Sequence, residues 1–350
     1  MPAPAWDTRT LTGLPVLQLH PTLRCNLTCT HCYSSSGPTA RTELGLDTVL
    51  RLVDDAAALG YGQLSVSGGE PLLYDALPAL LARARRRGLV TSLVTNGLLL
   101  TTRRWDDVRR LTDVVAVSVD GAEREHDLVR GRQGAYRRTV AGLAALHARG
   151  TAYALTTTLT RSNADGLESV VRLAARHGAA AVQVQPLVAI GRAAGSSLDH
   201  RPDAVELLAA LAEARWLGER LGVPVHLDAV SHEQLRRGRA RFVPPPGSGL
   251  NRLSTTLVVA ADGTVRPLAW DVDPSLWLGS LHVAPLDELA GAWASSPAPG
   301  RLRGACATAW DRLAARPEEA MTYWYDAVAE ATRGRDDPAA GRISGTPAAS

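Results

Sequence analysis

Short runs rich in β-branched residues alternate with longer amphipathic stretches between Leu14 and Asp228. Seven runs predict strands, at residues 15–19, 63–67, 90–95, 114–119, 152–159, 181–185 and 223–228. Six stretches predict helices, at residues 47–59, 74–87, 102–111, 136–148, 166–177 and 202–221. Asp47 is the expected N-cap of the first. Strands separated by helices indicate βαβ units and a parallel sheet. We therefore predict an α/β fold, a partial (β/α)6 TIM-type barrel with its chemistry at the C-terminal ends of the strands.

The pattern changes after Asp228. Residues 244–249 form a Pro/Gly-rich linker, residues 253–267 predict a β-hairpin that turns at Asp262 and Gly263, and helices are expected at 286–293 and 311–333. We interpret residues 229–333 as a small α+β C-terminal extension. Residues 1–13 form an N-terminal lead-in, and residues 334–350 predict a disordered tail because they are rich in Gly, Pro, Ala and Asp.

Composition excludes several classes of function. All 38 basic residues are arginine, so a pyridoxal or other Schiff-base enzyme and a P-loop nucleotidase, which need a lysine, are excluded. A net charge of +3 on 350 residues gives no reason to expect a nucleic-acid partner. No targeting segment and no membrane span is evident, so we expect a cytoplasmic protein.

Three of the four cysteines lie within eight residues. Cys25, Cys29 and Cys32 follow the first predicted strand with CxxxCxxC spacing on a loop. Three thiolates this close favour a metal site over disulfides in a reducing compartment. A structural zinc ion would need a fourth ligand such as His31 or Cys306, whereas a 4Fe-4S cluster held by three cysteines keeps one iron open to bind substrate. The spacing favours the iron-sulfur interpretation and leaves zinc or redox use as alternatives.

A second motif lies at the end of the second predicted strand, where Gly68, Gly69, Glu70 and Pro71 follow Ser67. Together with CxxxCxxC after the first strand, this GGEP sequence resembles the radical S-adenosylmethionine (radical SAM) superfamily over residues 14–228. The resemblance implies one 4Fe-4S cluster on the three cysteines, and S-adenosylmethionine on the open iron. It also implies that the Glu70 region receives the methionine amino group.

Further motifs at later strand ends extend the resemblance. Asn96 follows the third strand, an SxDG motif closes the fourth, and an HDxxRG stretch follows it. By resemblance, the arginine of that stretch meets the methionine carboxylate; a solvated loop charge is the alternative. By resemblance, His31, the residue before the third cysteine, lies against the adenine; the alternative is that it only caps the loop. The expected cofactor-binding residues are His31, Tyr33, Gly68, Gly69, Glu70, Asn96, Ser118, Asp120, Arg130 and Gln185.

The implied reaction is a reductive cleavage of S-adenosylmethionine to a 5′-deoxyadenosyl radical that abstracts a hydrogen atom from a substrate. An electron donor such as flavodoxin or ferredoxin is the expected partner. The C-terminal segment resembles the SPASM or twitch extension of peptide-modifying family members, but Leu268 replaces a cluster cysteine and no cysteine lies near residues 249–254. We therefore expect a degenerate extension without auxiliary clusters. Cys306 is either a small buried apolar residue or a hydrogen-atom donor.

Three hypotheses for the substrate and role stay open. The favoured one is the epimerisation or cross-linking of a ribosomally synthesised peptide. The second is the modification of a small natural-product intermediate, such as an aminosugar, nucleoside or porphyrin precursor. The third is a non-catalytic zinc or iron-sulfur protein. Only about a dozen residues precede the first strand, so a leader peptide is expected to need a separate binding protein or another surface.

Overall fold

The computed structural model describes residues 13–195, 201–202, 204–316 and 321–334. Its largest sheet has ten strands. The first seven strands, β1 to β7, are Val16–Leu19, Gln63–Val66, Val90–Thr95, Val114–Ser118, Tyr153–Leu159, Val182–Pro186 and Val225–Leu227. They lie side by side in chain order, and each neighbouring pair is parallel. All seven predicted strands are confirmed to within two residues at each end.

Helices connect these strands. In chain order they are α1 Leu46–Ala58, α2 Leu77–Arg86, α3 Arg103–Asp106, α4 Glu123–Arg130, α5 Ala135–Ala148, α6 Leu167–His177 and α7 Ala204–Leu221. Helix α1 shows how the sequence sets the buried face and the end of a helix. Its buried face consists of Val49, Leu52, Val53 and Ala56. Gly60, with φ of 85°, follows its end and permits the left-handed turn that stops the helix.

The C-terminal segment continues the same sheet. Its elements are β8 Val230–Ser231, α8 His232–Arg237, α9 Arg239–Phe242, α10 Leu250–Leu253, β9 Thr256–Val259, β10 Thr264–Pro267, β11 Gly279–Ser280, α11 Leu286–Ala294, α12 Ala298–Ala314, β12 Met321–Thr322 and α13 Trp324–Thr332. Strand β9 pairs in parallel with β1, on the edge of β1 that β2 does not occupy, and Val16 is paired with Thr256. Strands β10 and β11 follow in antiparallel order, so the predicted hairpin at Asp262 and Gly263 is confirmed.

The main hydrophobic core runs through both parts of the chain. Leu17 and Leu64 of the parallel strands share one cluster with Leu257, Leu286 and Leu302 of the C-terminal segment, and all five side chains are fully buried. The predicted α/β class with a partial barrel and a small α+β extension is confirmed. The boundary at residue 228 stays a prediction. Apart from Gly13 and Gly334, the predicted lead-in and tail lie outside the described residues.

Four details of the predicted helices are wrong. Residues 311–333 form two helices, α12 and α13, because α12 ends at Ala314 shortly before Pro317, which cannot continue a helix. Residues 102–111 contain only the short helix α3. After it the chain forms turns with hydrogen bonds between residues three apart, such as the Val108 N–H donating to the Trp105 carbonyl. Helix α4 was not predicted. Gly45, not Asp47, caps α1, and Asp47 lies in its first turn, where the helix dipole favours a carboxylate.

Among the helices that the structure describes, none has the length and apolar composition of a membrane span. The parallel strands instead bring their C-terminal ends to one edge of the sheet. The residues that follow β1, β2, β3 and β4 in the chain carry most of the predicted site.

Candidate functional site

The loop after β1 holds the three clustered cysteines. All three are free thiols; Cys25 and Cys29 are buried, and Cys32 is partly exposed. The backbone N–H of Cys25 donates to the Gly37 carbonyl over 3.1 Å, and that of Cys32 donates to the Cys29 carbonyl over 3.3 Å. A small apolar cluster of its own, formed with Leu27, Leu98 and Ala135, surrounds them. The loop is therefore a defined structure in which the three cysteines share one small apolar cluster.

The thiols fit a cationic metal group. Burial raises the pKa of the Cys25 thiol to about 12, and burial also raises the pKa of Cys29. Buried thiolates without a cation are unfavourable, and binding iron offsets that penalty. Within the described ranges, no three His, Cys, Asp or Glu side chains converge closely enough for a single metal ion. A 4Fe-4S cube gives each thiolate a different iron and so suits a wider arrangement.

The Gly68–Gly69 loop packs directly against the chain just before Cys25. The N–H of Gly69 donates to the Thr22 carbonyl, and the N–H of Glu70 donates to the Arg24 carbonyl, each over 2.9 Å. A Cβ atom on Gly69 would lie 2.3 Å from the Arg24 carbonyl oxygen, and Gly68 has φ of 100°. Only glycine fits both positions, because the backbone approach is too close for a side chain.

Glu70 itself is fully buried and used by the fold. Its carboxylate accepts hydrogen bonds from the Leu72 N–H (3.1 Å), the Thr95 hydroxyl (2.8 Å) and the Asn96 N–H (3.0 Å). Burial raises the pKa of Glu70, although these donors oppose the rise. The carboxylate therefore links the loop after β2 to the end of β3. Its predicted role toward a methionine amino group stays a prediction.

Asn96 connects the end of β3 to the cysteine loop. Its side-chain nitrogen donates to Asn26 Oδ1 over 2.7 Å and lies 3.9 Å from the Cys25 sulfur. Its side-chain oxygen accepts from the Leu98 N–H over 3.0 Å. The side chain is buried, so it holds a fixed orientation next to a predicted cluster ligand.

Asp120, after β4, is the centre of a buried polar network. Its Oδ2 accepts from His31 Nε2 over 3.0 Å and forms an ion pair with Arg130 at 2.7 Å, while Oδ1 accepts from the Thr158 N–H over 3.0 Å. Burial alone would raise the pKa of Asp120, but Arg130 and His31 lower it more, so its pKa lies far below the usual range. The sequence placed these residues among the cofactor contacts; the structure brings them together.

Arg130 is a buried residue at the end of α4, so the solvated-loop alternative is wrong. One terminal nitrogen pairs with Asp120, the other lies 3.8 Å from the Cys29 sulfur, and the Nε atom has no hydrogen-bond partner among the described residues. Its predicted contact with the methionine carboxylate stays a prediction. The observed position puts a positive charge beside a predicted cluster thiolate.

His126 is a site neighbour that was not among the predicted contacts. It lies one helical turn before Arg130, and its Nδ1 accepts from the Asp120 N–H over 3.3 Å. Burial, with a further contribution from Arg130, lowers the pKa of His126 to about 4, so this histidine is neutral at pH 7. The HDxxRG stretch contains this histidine, but the sequence assigned a role only to the arginine of that stretch.

The remaining predicted residues are Ser118, Gln185, Tyr33 and Cys306, and each lies in a different part of the fold. Ser118 ends β4, and Gln185 lies in β6 opposite Thr158. The ring of Tyr33 lies near His20 and Trp270, with centroids 5.5 and 5.4 Å away. Cys306 lies elsewhere.

Helix α12 carries Cys306, which is 3% exposed and belongs to the main hydrophobic core. It is therefore not in the cluster that surrounds the other three cysteines. Burial raises the pKa of its thiol to about 12. The role of hydrogen-atom donor stays a prediction.

Arg192, after β6, fastens the cysteine loop. Its Nε donates to the Cys29 carbonyl and its Nη2 to the Ser36 carbonyl, each over 2.7 Å, and its backbone N–H donates to the Cys32 carbonyl over 2.9 Å. A Cβ atom on the preceding Gly191 would lie 2.2 Å from the Tyr33 carbonyl oxygen. The segment after β6 thus lies directly on the chain that holds the thiols.

Replacement of Arg192 by alanine is expected to lower the free energy of unfolding of the apoprotein by about 2 kcal/mol, because two charge-assisted hydrogen bonds are lost. It should also reduce the iron retained after reconstitution. Chemical denaturation and iron analysis measure the two effects. The exposed Arg124, replaced in the same way, is the control. An Arg192→Ala protein that matches the control in both measurements would show that the loop does not depend on this contact.

Comparisons with known proteins agree with this site. Residues 19–174 match the family model described as the Radical SAM superfamily. The chain is 35% identical over 174 residues to an AdoMet-dependent heme synthase of Methanosarcina barkeri, covering 49% of this chain and 50% of that protein. It is 36% identical over 208 residues to a PqqA peptide cyclase of Ruegeria pomeroyi, covering 56% of this chain and 55% of the cyclase. The chain thus spans about half the length of these curated relatives.

A solved structure shares the fold. The crystal structure of Streptococcus suis SuiB bound to precursor peptide SuiA superposes with a TM-score of 0.63 at 14% sequence identity, covering 85% of this chain and 69% of SuiB. At this identity the likeness concerns the fold. The family match covers β1 to α6, the part of the chain in which the cysteine loop, the Gly68–Gly69 loop and the Asp120 network lie. Over residues 19–174 this chain is therefore similar to the Radical SAM superfamily.

Proposed function

We propose that the protein is a radical SAM enzyme that cleaves S-adenosylmethionine reductively and uses the resulting 5′-deoxyadenosyl radical to abstract a hydrogen atom from its substrate. One observation carries this proposal: the cysteine loop, the Gly68–Gly69 loop and the Asp120–Arg130 pair lie against one another at the C-terminal ends of β1, β2 and β4. A chance cysteine cluster would not be expected to have this buried support.

The residues have separable tasks in the proposed site. Cys25, Cys29 and Cys32 would hold three irons of a 4Fe-4S cluster, and the fourth iron would bind S-adenosylmethionine and deliver the electron that breaks its sulfonium bond. Because Gly68 and Gly69 carry no side chain, their backbone packs directly against the chain just before Cys25, which puts this loop beside the proposed cluster. The remaining predicted cofactor contacts are His31, Tyr33, Glu70, Asn96, Ser118, Asp120, Arg130 and Gln185.

A single cluster is part of the proposal. Leu268 stands where the related extensions have a cysteine, and it is buried with φ of 62°. Its N–H donates to the hydroxyl of the fully buried Ser254 over 2.9 Å. A leucine and a hydrogen-bonded serine offer no thiolate at this position, which supports a degenerate SPASM-like extension without auxiliary clusters.

For the substrate we favour a ribosomally synthesised peptide, epimerised or cross-linked by the enzyme. The support is the likeness to SuiB, which was crystallised with a precursor peptide, and to the PqqA peptide cyclase. The electron donor is expected to be a flavodoxin or ferredoxin. A separate leader-peptide-binding protein is the further partner expected for a peptide substrate.

A small natural-product intermediate is the second candidate substrate. The specific observation in its favour is the 35% identity to an AdoMet-dependent heme synthase, which points to a porphyrin precursor within this class. Gene context distinguishes the two candidates, because a gene for a short precursor peptide beside this one would favour the peptide. Turnover of a candidate precursor peptide by the purified enzyme would decide between them.

Anaerobic reconstitution with iron and sulfide is expected to give about four irons per chain. On addition of dithionite and S-adenosylmethionine, this protein should form 5′-deoxyadenosine, which chromatography measures. Omission of dithionite is the control. About eight irons per chain would contradict the single cluster. Four irons without 5′-deoxyadenosine would favour the non-catalytic iron-sulfur protein, and zinc in place of iron would favour the zinc protein.

A further inference from the structure

A cavity of about 360 Å³ lies between the cysteine loop and the β9–β10 turn of the C-terminal segment. Tyr33 and Ser34, which directly follow the third cysteine, line one side, and Ile190 lines another. Ala261, Arg266 and Trp270 of the C-terminal segment also line it. The cavity therefore starts one residue from a predicted cluster ligand and is walled by both parts of the chain.

Arg266 is the cation of this cavity. Its guanidinium lies between two indole rings, 4.8 Å from the Trp270 centroid and 4.3 Å from the Trp277 centroid. Its two terminal nitrogens donate to neutral acceptors, the Trp270 carbonyl at 3.0 Å and the Thr264 hydroxyl at 3.2 Å. Within the part of the chain that the structure describes, Arg266 forms no ion pair, unlike Arg130 in the cysteine site. The indoles hold the guanidinium in place without neutralising it.

The charges around Arg266 do not replace a bound anion. Asp262 also lines the cavity, but its side chain is exposed and its Oδ1 already accepts from the Thr264 N–H and hydroxyl at 3.0 and 2.7 Å. Burial lowers the pKa of Arg266, and the charge of Asp262 opposes this shift only in part. His20 lies behind Trp270, and burial together with Arg266 lowers its pKa to about 3, so it is neutral at pH 7.

We propose that this cavity is a substrate subsite that binds an apolar or aromatic group bearing a carboxylate, with Arg266 receiving the carboxylate and Ile190 and Trp270 contacting the apolar part. That the bound group belongs to the substrate rests on the proposed function. A partly buried guanidinium without an anion, beside apolar and aromatic walls, matches this chemistry. A residue of the substrate held here would lie next to the cysteine loop, close to where a radical is expected to form.

The test uses two probes of the same shape, 3-phenylpropionate and its neutral amide, 3-phenylpropionamide. Isothermal titration calorimetry on the purified full-length protein is expected to show the acid binding about tenfold more tightly than the amide, as one charge-assisted hydrogen bond implies. Arg266→Gln should remove the preference. Arg266→Lys should keep part of it, and Arg252→Gln, at an exposed arginine outside the cavity, should keep all of it.

Equal affinity of the two probes for the wild-type protein would overturn the proposal, and so would no binding of the acid at millimolar concentration. This comparison does not depend on any variant folding. A preference that survives in Arg266→Gln would also overturn it. The measurement needs neither cluster nor S-adenosylmethionine. A failure to bind the probe would therefore not contradict 5′-deoxyadenosine formation, and an absence of 5′-deoxyadenosine would not contradict the subsite.

Discussion

Replacement of Cys29 by alanine is expected to abolish 5′-deoxyadenosine formation completely and to prevent the binding of a stable 4Fe-4S cluster. Cys25→Ala and Cys32→Ala should have the same effect. With only two thiolates left on the loop, one more iron loses its protein ligand, and the cluster becomes prone to loss. Iron and sulfide analysis, the cluster absorbance and product chromatography measure the effect.

Cys306→Ala is the matched control for this experiment. Its thiol is buried in the main hydrophobic core, apart from the cluster that surrounds the other three cysteines. We expect the variant to bind as much iron as the wild-type protein. Loss of iron in Cys306→Ala, or retention of a full cluster in Cys29→Ala, would contradict the assignment of the ligands. The control also addresses the hydrogen-donor prediction, because a donor would be needed for correct product and not for iron binding.

The sequence allowed the sheet and the cysteine loop to be predicted because both depend on local signals. Strands such as Val114–Ser118 are continuous runs of β-branched or small residues, as buried parallel strands usually are. The glycines at 68 and 69 were interpretable because a close backbone approach admits no other residue. Where a pattern is continuous and local, the prediction and the structure agree.

The polar network could not be predicted because it depends on contacts between distant parts of the chain. Asp120 and His31 are 89 positions apart, and nothing near either residue signals the other. Helix α4 was missed for a related reason: only His126, Val129 and Arg130 are buried on it, and two of these three are polar. A helix that buries polar residues lacks the apolar stripe that predicts helices. The site is therefore the region where sequence patterns are least informative.

Asp120→Asn is expected to lower the free energy of unfolding by about 3–5 kcal/mol, because it leaves the buried Arg130 without its anion. The substitution keeps the shape of the side chain, removes its charge and replaces one acceptor oxygen by an NH2 donor. Chemical denaturation of the apoprotein at pH 7 measures the effect. Asp54→Asn is the control: Asp54 also pairs with two arginines, Arg83 and Arg87, but at the surface. There we expect a loss below about 1 kcal/mol, because solvent screens exposed pairs.

The difference between the wild-type protein and Asp120→Asn should depend on pH in one direction. Arg130 and His31 depress the pKa of Asp120 in the folded state, so the ion pair stabilises the fold above the unfolded aspartate pKa of about 3.9. The stabilisation is lost only as the pH falls below about 4 toward the folded pKa. The gap between the two proteins should thus be equal at pH 7 and pH 5 and narrow below about pH 4. A gap that closes between pH 7 and pH 5 would assign the effect to a histidine.

A double substitution separates the charge from the packing. If Asp120→Asn destabilises through the unpaired cation, then Asp120→Asn combined with Arg130→Met should recover part of the stability, since both charges are removed together. The double variant should still bind the cluster less well than wild type, because Arg130 lies 3.8 Å from the Cys29 sulfur and its positive charge favours the thiolate. Recovered stability with weakened iron binding would show that the pair serves the cysteine site more than it serves the fold. If neither the stability nor the iron binding recovered, the network would act only through its shape.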